Sequence, residues 1–303
     1  MPTLSVIIVT YNSADVIHAC LSALLDPRLE VIVVDNASSD ATVALVQQNF
    51  SQVILIDSGG NLGYGAGNNL GAQHATGTHI AIVNPDLTAT ADDLLAMVAY
   101  LDNHPDAGIV GPRMLHGDGT PIISARGDYT VARVLAKYFA LDRVNKRWVY
   151  GDYPHTHTGD TPLDVAWLQG SCLVMRRDDF LAMGGFDDGF FLFAEDVDLC
   201  ERVRAQAQRV VYLRSVTVQH LVSSSVKRAH LISTRAYHLS PLYYFGKRGH
   251  RRAVWMLKLG FSVELGIKIL LRLLRGDAAG RRLHRQVLRD VWRWPRPTDI
   301  SQP

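Results

Sequence analysis

Residues 4–12 read Leu4-Ser5-Val6-Ile7-Ile8-Val9-Thr10-Tyr11-Asn12, and residues 30–36 read Glu30-Val31-Ile32-Val33-Val34-Asp35-Asn36. Each is a short apolar run rich in β-branched residues that stops at polar side chains, the pattern of a strand covered on both faces. Between them residues 13–25 carry helical spacing, with Ser13 placed as an N-cap. The alternation continues with a helix over 39–49, a strand over 53–57, a helix over 65–76, a strand over 79–84, a helix over 91–103 and a fifth strand starting at 108. Strand–helix alternation at this spacing predicts a mostly parallel sheet with helices on both faces. In such sheets ligands bind outside the carboxyl ends of the strands. Those ends carry Thr10-Tyr11-Asn12, Asp35-Asn36, residues 57–61 and Asn84-Pro85-Asp86, all polar, and three of the four groups hold a carboxylate. Further along, strands are expected at 172–176 and 210–213 with a helix over 195–206 between them, and residues 226–303 read as helical and basic.

The composition supports this. With 303 residues, 48% hydrophobic and 20% charged, the chain can bury a sizeable core and falls outside the disordered class. Its length suits one large domain or two small ones. Cys20, Cys172 and Cys200 form no CxxC pair and no disulfide framework, which points to a reducing compartment. The net charge of +2 is unevenly spread: residues 246–303 hold 14 Lys and Arg against 4 Asp and Glu, whereas residues 1–245 hold 17 against 25. A basic tail on a mildly acidic body implies an anionic surface as partner, membrane or nucleic acid. Residues 1–10 have no basic leader region and no small-residue cleavage site, so they read as a buried strand. No stretch reaches the roughly 18 uncharged apolar residues of a membrane span. Residues 253–274 come nearest, but Lys258, Glu264, Lys268 and Arg272 interrupt them. On a helical wheel these four, with Ser262 and Arg275, fall within an arc of roughly 160° and most of the leucines and isoleucines lie outside it. That is a long amphipathic helix suited to the plane of a membrane interface or to packing in a helical hairpin. A second follows at 281–294, where Leu283, Val287, Leu288 and Val291 form an apolar stripe beside Arg281, Arg282, Arg285, Arg289 and Arg293.

Several local patterns carry chemistry. The loop Asn61-Leu-Gly63-Tyr-Gly-Ala-Gly-Asn68-Asn-Leu-Gly71 opens a helix, so its N–H groups suit a phosphate or a base. It follows the third strand, however, and not the first as a dinucleotide fingerprint would. Asp86 can hold a divalent ion beside a diphosphate, since magnesium uses one or two protein carboxylates and fills its shell with phosphate and water. In Phe190-Phe-Leu-Phe-Ala-Glu195-Asp196-Val-Asp198, an aromatic run brings three carboxylates to a helix start. Asp196 and Asp198 point in different directions on a helix, so one is expected to be catalytic and one structural. His220, after an apolar run and before Ser223-Ser-Ser225, is either a metal or diphosphate group or a structural histidine. His155 and His157 form no metal-ligand spacing with other residues.

Taken together, the chain resembles the inverting nucleotide-sugar glycosyltransferases of family 2, which have the GT-A fold, and within them the bacterial rhamnosyltransferase-like branch. Six motifs carry the likeness: Ser5-Val-Ile-Ile-Val-Thr-Tyr-Asn12, Val33-Val-Asp-Asn-Ala-Ser-Ser-Asp40, Asn61-Leu-Gly-Tyr-Gly-Ala-Gly-Asn68, Asn84-Pro-Asp86, Gly184-Gly-Phe-Asp187 and Glu195-Asp-Val-Asp-Leu199. They cover residues 4 to about 225; each is weak alone, and the six in this order are specific. The resemblance implies a Rossmann-like GT-A domain over 1–225 and a basic helical extension over 226–303. It implies that Thr10, Tyr11, Asn12, Asp35 and Asn36 hold the base and ribose and that Asn61, Gly63 and Asn68 line the nucleotide pocket. It implies a metal motif at Asn84-Pro85-Asp86, a general base at Asp196 with Glu195 beside it, a histidine of the metal and diphosphate shell at His220, and an acceptor side lined by Trp167, Gln169 and Gly170. The usual first acid of the metal motif is Asn84 here, which leaves one carboxylate.

The reaction so implied is transfer of a sugar, first of all rhamnose from dTDP-rhamnose, to a hydroxyl of a saccharide acceptor, with inversion and with Mg²⁺ or Mn²⁺ as cofactor. UDP- and GDP-hexoses are the alternative donors. The acceptor is expected to be polyprenyl-linked, in cell-envelope polysaccharide synthesis at the cytoplasmic face of an anionic membrane, and a homodimer through the C-terminal helices is the alternative use of that surface. A nucleotidyltransferase would need a glycine- and base-bearing loop after the first strand, where Thr10-Tyr-Asn-Ser-Ala stands instead. A nucleic-acid-binding tail using Trp255, Trp292 and Trp294 leaves the apolar helix faces and the strand-end carboxylates unexplained, so nucleic acid is not expected as a partner. Retention of Asp86, Asp196 and His220 weighs against an inactive scaffold.

Overall fold

The computed structural model describes residues 3–151, 159–221 and 230–294. These group into two compact units: the first holds 3–127, 159–187 and 195–221, and the second 128–151, 188–194 and 230–294.

In chain order the elements are β1 (Leu4–Thr10), α1 (Ile17–Ala23), β2 (Leu29–Asp35), α2 (Thr42–Asn49), β3 (Ile54–Asp57), α3 (Tyr64–His74), β4 (His79–Val83), β5 (Leu87–Thr88), α4 (Ala91–Asn103), β6 (Ala107–His116), β7 (Pro121–Ile122) and β8 (Ala125–Arg126). There follow α5 (Val131–Tyr138) and α6 (Lys146–Tyr150), both in the second unit, then β9 (Leu163–Asp164), β10 (Trp167–Leu168), β11 (Cys172–Arg176), α7 (Arg177–Ala182), α8 (Glu195–Ala205) and β12 (Arg209–His220). The C-terminal part of the second unit is α9 (His230–Lys247), α10 (Arg251–Leu274) and α11 (Ala278–Arg293).

The main sheet of the first unit runs β3-β2-β1-β4-β11-β6-β12-β5. β1 is parallel to both β2 and β4, so the strand order reverses at β1, the position where such sheets open a crevice. Val6, Ile7 and Ile8 of β1 are fully buried; each such side chain contributes about 1.5–3 kcal/mol of burial. Val6 and Ile8 join the core that includes Ile17, Leu21, Leu94 and Met97. Ile7 and Val9 face α3 instead, which explains that helix's glycines. A Cβ on Gly71 would lie 2.5 Å from Ile7 Cγ2 and one on Gly67 2.9 Å from Val9 Cγ1, so α3 can approach β1 only because both side chains are missing. α4 starts with a capping box, Thr90 and Asp93 each bonding the other's backbone, which fixes where the chain leaves β5.

The sheet is mixed and not wholly parallel. β11 runs antiparallel to both β4 and β6. Because it starts where β4 ends, with Cys172 opposite Val83, the segment 167–171 is delivered to the carboxyl edge of β4. A parallel strand there would have carried it to the opposite edge.

The second unit is helical. Tyr138, Tyr237, His238 and Phe261 form an aromatic cluster, and α5 packs closely enough on α10 that a Cβ on Gly260 would overlap Leu135. The side chain of Ser240 donates to the carbonyl of Leu192 at 2.7 Å. Along α10 the buried residues are Val254, Leu257, Lys258, Phe261, Glu264 and Leu265. The charged arc seen in the sequence therefore faces the body of the unit, where Glu264 pairs with His238 at 3.3 Å and with Lys268. Along α11, Val287 and Val291 of the expected stripe are buried together with His284, while Leu283 and Leu288 are half-buried.

Candidate active site

Four strand ends meet at the carboxyl edge of the first unit's sheet. Thr10 Oγ1 donates to Asp35 Oδ1 at 2.9 Å, and the Asp35 carboxylate also accepts from Ser38 N at 2.8 Å and Ser38 Oγ at 2.6 Å. Asn12, with φ of 53°, clamps the two loops: its N–H donates to Ser38 Oγ at 2.9 Å and its Oδ1 accepts from Ser39 N at 2.8 Å. Asn36 Nδ2 donates to the carbonyl of Gly63 at 2.9 Å, which ties β2 to the glycine loop. Gly63 has φ of 89° at the start of α3, Asn61 Oδ1 accepts its N–H at 3.1 Å, and Asn68 Nδ2 donates to the Tyr64 carbonyl at 2.9 Å. Asn36 Oδ1 and Asn68 Oδ1 are buried with no hydrogen-bond partner. An acceptor so placed is costly unless something donates to it, and a base N–H or a ribose hydroxyl is such a donor. Tyr11 is half-buried at the same edge. Asn12 and Asp35, by contrast, spend much of their bonding capacity on the loops themselves.

Asn84 and Asp86 follow β4. The N–H of Asn84 donates to the Ser171 carbonyl at 2.8 Å, and that of Leu221 to the Asp86 carbonyl at 2.7 Å. The second bond seats the end of β12 beside Asp86, so His220 Nε2 lies 3.4 Å from Asp86 Oδ1. Residues 86 and 220, far apart in sequence, are thus brought together. Both ring nitrogens of His220 are buried without a hydrogen-bond partner. Burial pushes the imidazole's pKa down against the pull of Asp86, with His116 adding to the fall. A neutral imidazole with unsatisfied nitrogens beside a carboxylate fits a divalent cation. Among the described residues no group of three or more His, Cys, Asp or Glu gathers to hold a metal, so two protein ligands would leave room for phosphate and water. Ser223-Ser-Ser225, His155 and His157 lie outside the described residues.

The carboxylates of α8 stand in different surroundings. Asp198 is fully buried and accepts from Arg202 Nε at 2.9 Å, while Arg202 also donates to the carbonyls of Met183 at 3.0 Å and Gly185 at 2.6 Å. It anchors the Gly184–Gly185 turn and is structural. Asp196 is half-buried, with Oδ2 accepting from Gly170 N and Oδ1 from Val197 N, both at 2.8 Å. Burial raises its pKa; the two N–H groups and Arg126 oppose the rise. Glu195 is buried with Oε2 unpartnered, and burial together with the Asp196 charge pushes its pKa well up. Of the pair, Asp196 has the solvent access, and burial with the neighbouring charge favours the neutral form of Glu195.

Gly170 packs directly against Asp196: a Cβ there would lie 3.2 Å from Asp196 Cβ. Trp167 pairs with Arg126 across β8 and β10, and the guanidinium sits 4.8 Å from the indole centroid. Gln169 N donates to Ser124 O at 2.8 Å and its Nε2 to Ser171 Oγ at 3.0 Å. Through Gly170–Ser171 the Asp196 carboxylate and the Asp86–His220 pair share one sheet edge, since residue 170 bonds Asp196 and residue 171 bonds Asn84.

Residues 5–180 match the family model described as glycosyl transferase family 2. The chain belongs to this family. An N-acetylglucosaminyl-diphospho-decaprenol L-rhamnosyltransferase of Mycobacterium tuberculosis is 29% identical over 290 residues, 89% of this chain and 93% of that protein. Rhamnosyltransferase WbbL of Escherichia coli is 28% identical over 77% of this chain and 91% of its own. Both agree with the rhamnosyltransferase-like branch implied by the six motifs. The fold is shared with Staphylococcus aureus TarS in complex with UDP, at a TM-score of 0.52, 16% identity and coverage of 97% and 92% of the two chains. It is shared also with the mannosyltransferase PcManGT of Pyrobaculum calidifontis in complex with GDP-Man and Mn²⁺, at 0.52, 19%, 99% and 86%.

Two residues of this glycosyltransferase went unnoticed in the sequence. Arg126 stands in an irregular stretch with no motif around it, yet its charge acts on Asp196. Tyr64 was visible only as part of the glycine loop, but its hydroxyl donates to the Gly170 carbonyl at 2.7 Å. It thereby fastens the backbone whose N–H holds Asp196.

Proposed function

We propose that this family 2 glycosyltransferase transfers rhamnose from dTDP-rhamnose, with inversion, to a hydroxyl of a polyprenyl-linked saccharide during cell-envelope polysaccharide synthesis, working at the cytoplasmic face of the membrane. The observation that carries the reading is the Asp196 carboxylate, held by Gly170 N–H at 2.8 Å on the sheet edge that also bears the Asp86–His220 pair. The names of the two rhamnosyltransferase relatives support the choice of sugar and of a lipid-linked acceptor.

In this reading Asn36, Asn68 and the neighbouring strand ends Thr10–Asn12 and Asp35 seat the nucleotide, while Trp167, Gln169 and Gly170 line the acceptor side. Asp196 takes the proton of the acceptor hydroxyl as that oxygen attacks the anomeric carbon from the face opposite the nucleotide; displacement in one step inverts the centre. Its raised pKa makes it a stronger base than an ordinary carboxylate. Glu195 stays neutral behind it and does not compete for the proton. A divalent cation, Mg²⁺ or Mn²⁺, held by Asp86 and His220, would offset the charge on the leaving diphosphate.

The test is transfer from dTDP-, UDP- and GDP-sugars to an N-acetylglucosaminyl-diphospho-polyprenol, with the product anomer read by NMR and nucleotide binding by thermal shift. Asp196→Asn is expected to lose at least about 10²-fold in kcat while keeping the nucleotide-induced shift. Near-normal turnover of that variant, or transfer with retention, defeats the reading.

A further inference from the structure

Helix α10 is built inside out. Met256, Leu259, Val263, Ile267, Leu270 and Leu274 recur three or four residues apart and are 49–75% exposed. They make one continuous apolar stripe about 27 Å long at 1.5 Å per residue. Lys258 and Glu264 are buried on the opposite side. Glu264 is held there by His238 and Lys268, and Lys258 donates to the Trp292 carbonyl at 3.3 Å with its ammonium 5.3–6.0 Å from three tryptophan rings. A helix facing water shows the reverse arrangement. These polar contacts lock the apolar side outward, so exposure of the stripe is a property of the packed unit.

The charge around the stripe selects its occupant. Residues 246–294 contain thirteen Lys and Arg against three acids. Each acid is engaged in an ion pair: Glu264 with Lys268, Asp277 with Arg272 at 2.7 Å, and Asp290 with Arg235 at 2.8 Å. Exposed Arg251 and Arg252 begin α10, and Arg282, Arg285 and Arg289 are exposed on α11. A second copy of this chain would set the same positive field against itself, whereas an anionic leaflet neutralises it. Trp255 and Trp292, 58% and 44% exposed with ring centroids 5.8 Å apart, suit the head-group boundary. No helix among the described residues is long and apolar enough to cross a membrane.

We propose that α10 lies in the plane of an anionic bilayer with this stripe inserted among the acyl chains and the arginines of α11 on the head groups. The inference rests on the reading above that the acceptor is lipid-linked, and it deepens it by naming the face that docks.

The test is co-sedimentation of the full chain with phosphatidylglycerol–phosphatidylcholine vesicles at low and high salt, together with light scattering in their absence. Leu259→Glu/Val263→Glu should lower partitioning at least about ten-fold, because it places charge in the acyl region. Leu270→Ser/Leu274→Ser, a milder change at the other end, should lower it less. Arg282→Glu/Arg285→Glu should weaken binding mainly at low salt. Unchanged melting temperatures are expected for all three, since every altered side chain is exposed or partly so. Stripe variants that partition like the wild type, or a wild type that stays in the supernatant at low salt, overturn the proposal. A wild-type dimer that the stripe variants split into monomers also overturns it, by assigning the face to a second copy. Vesicle binding is read without turnover. Failure of rhamnosyl transfer with vesicle binding intact therefore counts against the substrate, whereas a wild type that transfers to a short-chain soluble acceptor but does not bind vesicles counts against the docking face.

Discussion

Replacing Gly170 by alanine adds one methyl group beside the proposed base. Its φ lies outside the left-handed region, so the backbone admits alanine, but the new Cβ would stand 3.2 Å from Asp196 Cβ and 3.5 Å from Oδ2. Contacts this close are relieved by a shift of a few tenths of an ångström, and the Asp196 side chain is what can move. The shift also stretches the 2.8 Å bond from Gly170 N–H. A hydrogen bond to a charged group is worth about 1.5–3 kcal/mol, and a misplacement of about 1 Å costs about 10²-fold in rate. Losing part of each amounts to about 1–2 kcal/mol in the barrier, or roughly a 5–30-fold fall in kcat. Because that N–H favours the ionised carboxylate, weakening it raises the base's pKa further, and the acid limb of the kcat profile should move to higher pH. The assay is initial-rate sugar transfer across pH, with the nucleotide-induced thermal shift as control for donor binding. A Gly170→Ala protein with kcat within about two-fold of wild type and an unmoved acid limb would refute the assignment of Asp196 as the base held by this N–H.

Two further outcomes follow from the same helix. Asp198→Asn breaks a buried pair with Arg202 and is expected to cost about 3 kcal/mol in stability, visible in denaturant unfolding, while kcat per folded molecule stays within a few-fold. Glu195 has its pKa raised above the ordinary 4.5, so the native state holds a proton that the unfolded chain releases, and stability falls as pH rises from that ordinary value through the folded one. Glu195→Gln removes this dependence, and its melting temperature relative to wild type should climb as pH is raised from 5 to 8; a constant difference across that range would contradict a neutral Glu195.

Much of the site was legible in the sequence because its frame is local. Thr10, Asp35 and Asn84 end apolar runs, and a run of β-branched residues that stops at polar groups announces a strand end whatever surrounds it. That Asp196 and Asp198 have different surroundings was also foreseeable, since two positions apart on a helix point different ways. Arg126 was not legible. It acts on Asp196 because β8 pairs with β10, and strands of two residues leave no periodicity to read. Nor was the antiparallel course of β11, whose five apolar residues would look the same run in either direction.

The amino-acid order alone determined that α10 has one polar and one apolar side, because a wheel depends only on spacing. Tertiary structure decided which side faces water. That choice rests on His238, Arg235 and Trp292, distant partners that draw the charged groups of the C-terminal helices inward through short-range contacts. In the same way sequence placed a carboxylate at residue 196 and a glycine at residue 170, and only folding made them neighbours, since a hydrogen bond acts over 3 Å of space and carries no trace along the intervening chain.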